Sequence, residues 1–304
     1  MYFLRRAILL VPLLLVISFL AFVLVRIAPG GPFDRERKAA SPEIERQIRA
    51  KYHLDEPAWK QYVRFLAELA HGDFGISLQY RNHTVNDIIA QALPVSASLG
   101  LLAFGFTMGV GVPLGFFSAA RRGRWEDYTA SFVAILMVCI PGFVVAPLLV
   151  MFFGIKWRLF PVALWASPMH AVLPMIALGL YFAGRVARLM REGMIDVLSS
   201  EFITTARAKG LSETAVLLRH GLPLALLPVV SYAGPLLADL LTGSFVIETI
   251  FQIPGLGAFF VNGSLNRDYT LIVGLVVLYA TLLVVSNLVV DLVYVLLDPR
   301  VRYE

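Results

Sequence analysis

The chain has 304 residues, of which 58% are apolar and 15% are charged, and its formal net charge is +5. Soluble globular domains carry about 25% charged residues, so this composition argues against an ordinary soluble domain. The basic residues are not gathered into one stripe with interleaved aromatic residues, so nucleic acid is not an expected partner. The single cysteine, Cys139, leaves no intramolecular disulfide and no cysteine-based metal site.

The first apolar run extends from Ala7 to Val25 and follows two arginines, Arg5 and Arg6. It is longer than the apolar region of a signal peptide, and the residues after it contain no good small-x-small cleavage site. We therefore expect a retained transmembrane helix within residues 1–30, with the N-terminus in the cytoplasm.

Residues 31–93 form a polar segment, and a segment of this length crosses a membrane largely regardless of its charge. One amphipathic helix is expected after Pro57 and before Gly72, because apolar residues recur there at helical spacing, namely Trp59, Tyr62, Val63, Leu66 and Leu69. Thr84 and Asp87 have the spacing of a capping box and predict the start of a second helix. The sequence thus predicts a small external domain.

Five further apolar runs are long enough to cross a hydrocarbon core of about 30 Å. They lie at roughly 95–120, 128–155, 170–190, 222–247 and 270–297. The fourth is the weakest, because its uncharged part is short. Its helix must either begin near Val162 or continue beyond the membrane with Arg185 and Arg188 snorkelling to the interface.

Six spans with a cytoplasmic N-terminus place the arginine-rich connections on the cytoplasmic side, as the positive-inside rule requires. These connections carry Arg121 to Arg124, Arg185 to Arg219, and Arg300 to Arg302, whereas the short outer loops carry only Lys156, Arg158 and Arg267. The prediction is an all-α integral membrane protein of about six transmembrane helices, with the C-terminus also cytoplasmic.

A polar insert, residues 192–221, separates the fourth and fifth spans. Ser199 or Ser200 can cap a helix, Gly210 can supply the left-handed residue that ends it, and Ser212 can cap a second short helix. We expect two short helices joined by a tight turn. The predicted organisation is a transmembrane helix in residues 1–30, an external domain in 31–93, and a five-helix core in 94–304 that contains this insert.

Enzyme motifs are missing from the sequence. None of the five lysines follows a glycine, so the phosphate-binding loop of an ATPase is absent, and neither an H-E-x-x-H pair nor a G-x-S-x-G elbow occurs. Few carboxylates fall within or beside the spans, namely Asp239 in the fifth and Asp291 and Asp298 toward the inner end of the sixth, which is weak support for an ion-coupled carrier. Asp239 is expected near the middle of the fifth span, where it either makes a structural hydrogen bond or lines a path.

The insert resembles the coupling motif of binding-protein-dependent ABC importer permeases, which has the form E-A-A-x-x-x-G followed nine residues later by I-x-L-P. Four residues fit this motif, namely Ala206, Gly210, Leu222 and Pro223. Thr204 and Thr205 replace its first two residues, and His220 stands at its isoleucine position. The stretch from Thr205 to Leu211, which includes Arg207 and Lys209, reads T-A-R-A-K-G-L, a variant typical of the peptide and nickel branch. Arg207 and Lys209 either are solvated charges on the cytoplasmic side or contact a carboxylate of an ATPase.

The resemblance extends over nearly the whole chain and is closest to the B-type permease subunits of oligopeptide importers. The segments that carry it begin at Ala28, Lys51, Leu69, Ser77, Val85, Pro94, Phe143, Ile247, Pro254 and Val261 and include Ala28-Pro-Gly-Gly-Pro-Phe, Leu69-Ala-His-Gly-Asp-Phe-Gly, Ile247-Glu-Thr-Ile and Val261-Asn-Gly-Ser-Leu-Asn-Arg-Asp-Tyr.

This resemblance implies a non-catalytic inner-membrane subunit that forms half of a translocation path. It implies a second, homologous permease subunit as heterodimer partner, two cytoplasmic ATPase subunits and an external peptide-binding protein, with no cofactor or metal. Residues 31–93 and the connection from Glu248 to Tyr269 are expected to form the outer mouth on which the binding protein docks. Dipeptide, glutathione and nickel permeases of the same family remain alternatives, and a stand-alone secondary carrier is the alternative from another class.

Overall fold

The computed structural model describes residues 2–27, 55–80, 83–242 and 245–297. The motifs that begin at Ala28 and Lys51 lie outside these residues, as do Asp298, Arg300 and Arg302. The described residues form helices, apart from turns and one isolated bridge between Ile76 and Thr84, and none of them belongs to a strand. The predicted all-α class is confirmed.

The helices follow one another as α1 Tyr2–Ile27, α2 Ala58–Ala70, α3 Val85–Ala120, α4 Trp125–Cys139, α5 Gly142–Leu149, α6 Pro168–Leu198, α7 Glu201–Ala208, α8 Glu213–Ala215, α9 Leu222–Ala225, α10 Leu227–Leu241, α11 Phe245–Ile250, α12 Leu256–Asn266 and α13 Tyr269–Leu297. Two π-helical segments, Val150–Lys156 and Val216–Gly221, continue α5 and α8.

Three helices, α3, α6 and α13, are each long and apolar enough to cross a membrane. Two bent pairs, α4 with α5 and α8–α9 with α10, pass the same test when each pair is taken together. The apolar part of α1, Val11–Ile27, adds a shorter helix. These elements account for the six spans that the sequence predicts.

The third span is not the straight helix that residues 128–155 suggested, because the chain bends by 99° between α4 and α5. Ile140 is extended, with φ −94° and ψ 115°, and Pro141 follows it at the N-cap of α5. A residue before proline is disfavoured in the helical region, and proline cannot donate to the preceding turn. The local sequence therefore favours the end of α4 at Cys139.

The fourth span is 31 residues long, so its helix extends about 46 Å and continues beyond the hydrocarbon core. Of the two alternatives for this span, the structure shows the one in which Arg185 and Arg188 belong to the helix. The helix also includes the first residues of the insert, up to Leu198, and Ser199 and Ser200 follow its end.

The capping box at the start of α3 is present in full. The Asp87 backbone N–H donates to Thr84 Oγ1 at 3.1 Å, and the Thr84 N–H donates to Asp87 Oδ2 at 2.9 Å. The helix that begins here continues without a break through Pro94 to Ala120. The second helix of segment 31–93 and the predicted second span are therefore one helix.

Two compact units divide the chain, Met1–Pro94 with Leu256–Thr281, and Val95–Gly255 with Leu282–Glu304. In the first unit, Phe65 of α2 is buried against α1 and α13, where it packs with Ala21, Phe22, Val273 and Val277. The apolar stripe of α2 is divided, since Tyr62, Leu66 and Leu69 join this cluster while Trp59 and Val63 are exposed. The described part of 31–93 thus shares its core with spans, and the domain boundaries stay a prediction.

In the second unit, α3 lies directly on α6. A Cβ atom added to Gly115 would stand 2.2 Å from the Ala187 carbonyl oxygen, and one added to Gly111 would stand 2.7 Å from that of Ala183. Small residues four positions apart allow the backbones of membrane helices to approach this closely. The main core of the unit, which includes Val186, Met190 and Leu236, surrounds this contact.

Candidate functional site

The insert forms the two short helices that the sequence predicts. Ser200 occupies the N-cap position of α7, but its hydroxyl donates to the Val197 carbonyl instead of accepting from the helix. Ser212 caps α8 through a hydrogen bond that its Oγ accepts from the Ala215 N–H at 3.4 Å. The helices meet at a tight turn centred on Gly210.

Gly210 adopts the left-handed conformation, with φ +78°. The N–H groups of Lys209 and Gly210 donate to the carbonyls of Thr205 and Arg207 at 3.0 and 2.9 Å, so they satisfy the end of α7. No atom lies within 4 Å of the position that a Cβ would take. The requirement for glycine at this position is therefore conformational and not steric.

The insert packs on the last turn of α6 through a small core. Ile203, Ala206 and Val216 are buried, and Val197 and Leu198 of α6 pack against them. The opposite face is exposed and carries Thr204, Thr205, Arg207, Lys209 and Gly210. Ala206 thus anchors the insert, while the other coupling-motif residues of α7 and the turn face outward.

Two apolar side chains on this exposed surface were missed in the sequence. Phe202 is 44% exposed and Leu211 is 42% exposed, one at each end of the stretch that holds α7 and the turn. Their apolar character within a polar insert is the signal that could have identified them, since exposed apolar residues often mark contact surfaces. We refer to Phe202, Thr204, Thr205, Lys209 and Leu211 as the coupling surface.

Arg207 is paired within the chain. Its guanidinium donates to both Glu213 carboxylate oxygens, from Nε at 3.1 Å and from Nη2 at 2.7 Å, and so connects α7 to α8 across the turn. Hydrogen bonding to Glu213 raises the pKa of Arg207 above its ordinary value. The pair is largely exposed, so it contributes little stability but limits the orientations of the two helices.

Leu222 and Pro223 lie away from the coupling surface. They begin α9, where both are half-buried, and Leu222 packs against the main core of the second unit. Leu222 and Pro223 thus form the entry of the fifth span, and their part in coupling to an ATPase stays a prediction.

Asp239 is not near the middle of its span, as the sequence suggested, but in the last turn of α10, because that helix ends at Leu241. Its side chain is exposed and lines a cavity of about 320 Å³. The other walls are mainly aromatic and aliphatic, and include Phe143, Tyr181, Phe182 and Val246. No described residue of this chain hydrogen-bonds to the Asp239 carboxylate, and a structural hydrogen bond to the partner subunit and a place in the path both stay predictions.

A buried ion pair that the sequence did not predict joins three helices. Asp127 of α4 is 3% exposed and accepts two hydrogen bonds from Arg191 of α6, from Nε at 2.8 Å and from Nη2 at 2.9 Å. Ser118 of α3 donates to the same carboxylate at 2.7 Å, and the Gly123 N–H donates at 3.0 Å. Arg191 was read as one of many inside charges, because nothing in the sequence pairs it with Asp127.

Two further buried carboxylates, Glu248 and Asp268, connect segments that lie far apart in the sequence. Ser96 donates to Glu248 at 2.8 Å, and a Cβ at Gly255 would stand only 2.4 Å from the Glu248 carboxyl carbon. Asp268 accepts from the Ser77 hydroxyl and from the Gln79 N–H at 3.0 Å. Burial, with a smaller contribution from Asp268, raises the pKa of Tyr80. The first contact joins α3 to α11, and the second joins the segment after α2 to the start of α13.

No metal centre is apparent in the described parts of the chain, where no three His, Cys, Asp or Glu side chains converge at a suitable spacing.

Comparison with family models matches both parts of the chain to one transport family. Residues 111–303 match the model described as binding-protein-dependent transport system inner membrane component, and residues 1–100 match the model for the N-terminal part of such components.

Curated relatives are similar over nearly their full length. The chain is 45% identical to the oligopeptide transport system permease protein OppB of Haemophilus influenzae, over 96% of each chain. It is 46% identical to the OppB protein of Salmonella typhimurium, over 99% of each chain. It is also 42% identical to the dipeptide transport system permease protein DppB of Bacillus subtilis, over 99% of this chain and 97% of that one.

Among solved structures, the chain is similar to one of the inward-facing MetNI methionine ABC transporter. The TM-score is 0.59 at 17% identity, with 69% of this chain and 96% of that chain covered. At this identity the likeness concerns the fold alone.

Proposed function

The chain belongs to the family of binding-protein-dependent transport system inner membrane components, and from this membership we propose that it forms half of the translocation path of an ATP-driven oligopeptide importer. It is a multi-pass inner-membrane permease subunit. The oligopeptide substrate is taken from relatives named for oligopeptide transport. A dipeptide permease is the second candidate, because a relative of that name is nearly as similar.

The observation that carries the proposal is the geometry of the insert. Its two helices are fixed to the end of α6 by Ile203, Ala206 and Val216, and its coupling surface points away from the bundle. Exposed Phe202 and Leu211 beside polar threonines suit a groove on another protein. From the family to which the chain belongs, we infer that this protein is one of two ATPase subunits.

This assignment sets the orientation. The insert lies in the cytoplasm, as do the turn between α3 and α4 and both termini, while α2 and α12 lie outside. A second, homologous permease subunit supplies the other half of the path, and an external binding protein delivers the peptide. Asp239 lines the path, because its cavity is bordered by aromatic side chains and its carboxylate has no partner in the described residues.

Reconstitution in vesicles tests the function. With the second permease, the ATPase subunits, the binding protein and ATP all present, we expect uptake of a labelled oligopeptide. Omission of the ATPase subunits alone should abolish it. Uptake by the purified chain alone, driven by a proton or sodium gradient, would establish the secondary carrier instead.

Uptake of peptides of different length distinguishes the oligopeptide candidate from the dipeptide candidate. With the cognate binding protein, an oligopeptide permease should take up a pentapeptide as well as a dipeptide. Exclusion of the pentapeptide by the complete complex would favour the dipeptide assignment.

A further inference from the structure

Two charged residues lie unpaired within helices that cross the membrane. Arg185 of α6 and Asp239 of α10 are both exposed in the subunit. Neither forms a salt bridge with any residue that the structure describes, although the two lie within electrostatic range of each other. Thr242 donates to Asp239, but to its backbone carbonyl and not to its carboxylate.

Both residues belong to one strip of surface. Leu178 and Tyr181 line the Asp239 cavity, and Arg185 is the next residue on that face of α6, four positions after Tyr181. The Arg185 guanidinium carbon lies 5.8 Å from the centre of the Tyr181 ring and 5.4 Å from that of Tyr232. Tyr232 precedes Asp239 by two helical turns, so it lies on the same side of α10.

An unpaired charge is costly when it faces lipid, and charged residues at membrane depth normally face a wet cavity or a partner. The Arg185 guanidinium lies over both tyrosine rings and shares a side-chain hydrogen bond with Tyr232, which uses only part of the five N–H donors that a guanidinium carries. An exposed guanidinium with open N–H groups is well suited to a carboxylate, which it can bind through two parallel hydrogen bonds.

We propose that Arg185 binds the terminal carboxylate of a peptide in transit while Asp239 attracts its terminal ammonium group. This proposal rests on the proposed function, since it names how that path recognises its substrate. Exposed ion pairs are weak, which suits a path that has to release its cargo.

The spacing of the two charges adds a length criterion. Two turns of α10 separate the level of Arg185 and Tyr232 from Asp239 by about 11 Å. An extended peptide advances about 3.5 Å per residue, so a tripeptide can engage both charges at once. A longer peptide engages them one after the other.

Three labelled tripeptides test the proposal in the complete reconstituted complex, one with free ends, one amidated at the C-terminus and one acetylated at the N-terminus. All variants use the same binding protein, so its own preference cancels when each variant is compared with wild type. Uptake is normalised to assembled complex. The variants are Arg185→Gln, Asp239→Asn and the control Arg188→Gln, which replaces an exposed arginine one turn further along α6.

Arg185→Gln should reduce the preference for the free over the amidated peptide, by up to about fivefold, and leave the preference over the acetylated peptide unchanged. Asp239→Asn should reduce the preference for the free over the acetylated peptide and leave the preference over the amidated peptide unchanged. Arg188→Gln should alter neither preference. Arg185→Lys, which keeps the charge without the planar fork, should be intermediate, and it provides the test should the glutamine variant fail to assemble.

Equal loss for all three peptides in Arg185→Gln, or no change in either ratio, would overturn the proposal while the proposed function stands. Absence of peptide uptake by the wild-type complex would overturn the proposed function and this proposal with it.

Discussion

Gly210 has φ +78° in an exposed turn with no neighbouring atoms, so a side chain there meets strain but no clash. Gly123, in the turn between α3 and α4, has the same φ and the same empty surroundings. A β-branched residue at either position pays a similar conformational cost of about 1–2 kcal/mol. The two glycines are therefore matched in backbone conformation and in free space, although the Gly123 N–H also donates to Asp127.

We expect Gly210→Val to lower peptide-stimulated ATP hydrolysis and uptake severalfold, because it distorts the turn that carries the coupling surface. Gly123→Val should lower them much less. Both rates are measured in the reconstituted complex. Equal effects of the two substitutions would show that strain, and not the position of the coupling surface, is responsible.

Asp127 is the second residue for which a change has a defined cost. Asp127→Asn leaves the Arg191 guanidinium partly buried without its carboxylate, which costs about 3 kcal/mol, so the melting temperature in detergent should fall clearly. Glu126→Gln is the control, since Glu126 pairs with the exposed Arg121 and surface pairs are worth about 0–1 kcal/mol. A control that melts as low as Asp127→Asn would contradict the role assigned to the buried pair.

At the scale of elements, the contact between α3 and α6 depends on glycine. Gly115→Ala places a methyl group 2.2 Å from the Ala187 carbonyl, and the helices have to separate, at a cost of about 1–3 kcal/mol. Gly109→Ala, on the same helix with no atom within 4 Å of its Cβ position, should be neutral or slightly stabilising. Thermal unfolding in detergent measures the difference, and equal melting temperatures would disprove the close packing.

Elements set by neighbouring residues could be predicted from the sequence, whereas those set by distant contacts could not. The turn at Gly210 and the capping box at Thr84 depend on residues only a few positions apart. The sequence alone could not distinguish Pro141, which follows the end of a helix, from prolines that a helix tolerates, since Pro94 and Pro174 lie inside unbroken helices. Neighbouring helices can satisfy the backbone groups that such a proline frees.

The candidate site shows the same division. Thr204 to Gly210 were found by their local pattern, and the structure places most of them on one exposed surface. Asp239 lies in the last turn of α10, whereas the sequence analysis read the apolar run as one helix that continued to residue 247. Arg191 had no visible partner, because Asp127 lies 64 residues earlier.

At the scale of the whole molecule, two exposed tryptophans are predicted to lie on opposite sides of the membrane. Trp59 of α2 is 65% exposed and Trp125 of α4 is 72% exposed. A photo-crosslinking residue in place of Trp59 should capture the external binding protein, since α2 belongs to the predicted outer mouth. The same residue in place of Trp125 should not, because that position is predicted to lie in the cytoplasm.

Capture of the binding protein from position 125 and not from 59 would reverse the orientation. If neither position captures the binding protein, and cross-linking residues in the connection between α11 and α13 do not capture it either, the docking surface lies on the partner permease.

The right-angled bend at Pro141 has a consequence for the surrounding lipid. With 15 residues, α4 is about 22 Å long, some 8 Å less than an average hydrocarbon core. Because α5 leaves at 99°, it adds almost nothing along the same axis. We therefore expect hydrophobic mismatch and local thinning of the lipid beside α4, so that peptide uptake should depend on the thickness of the host membrane.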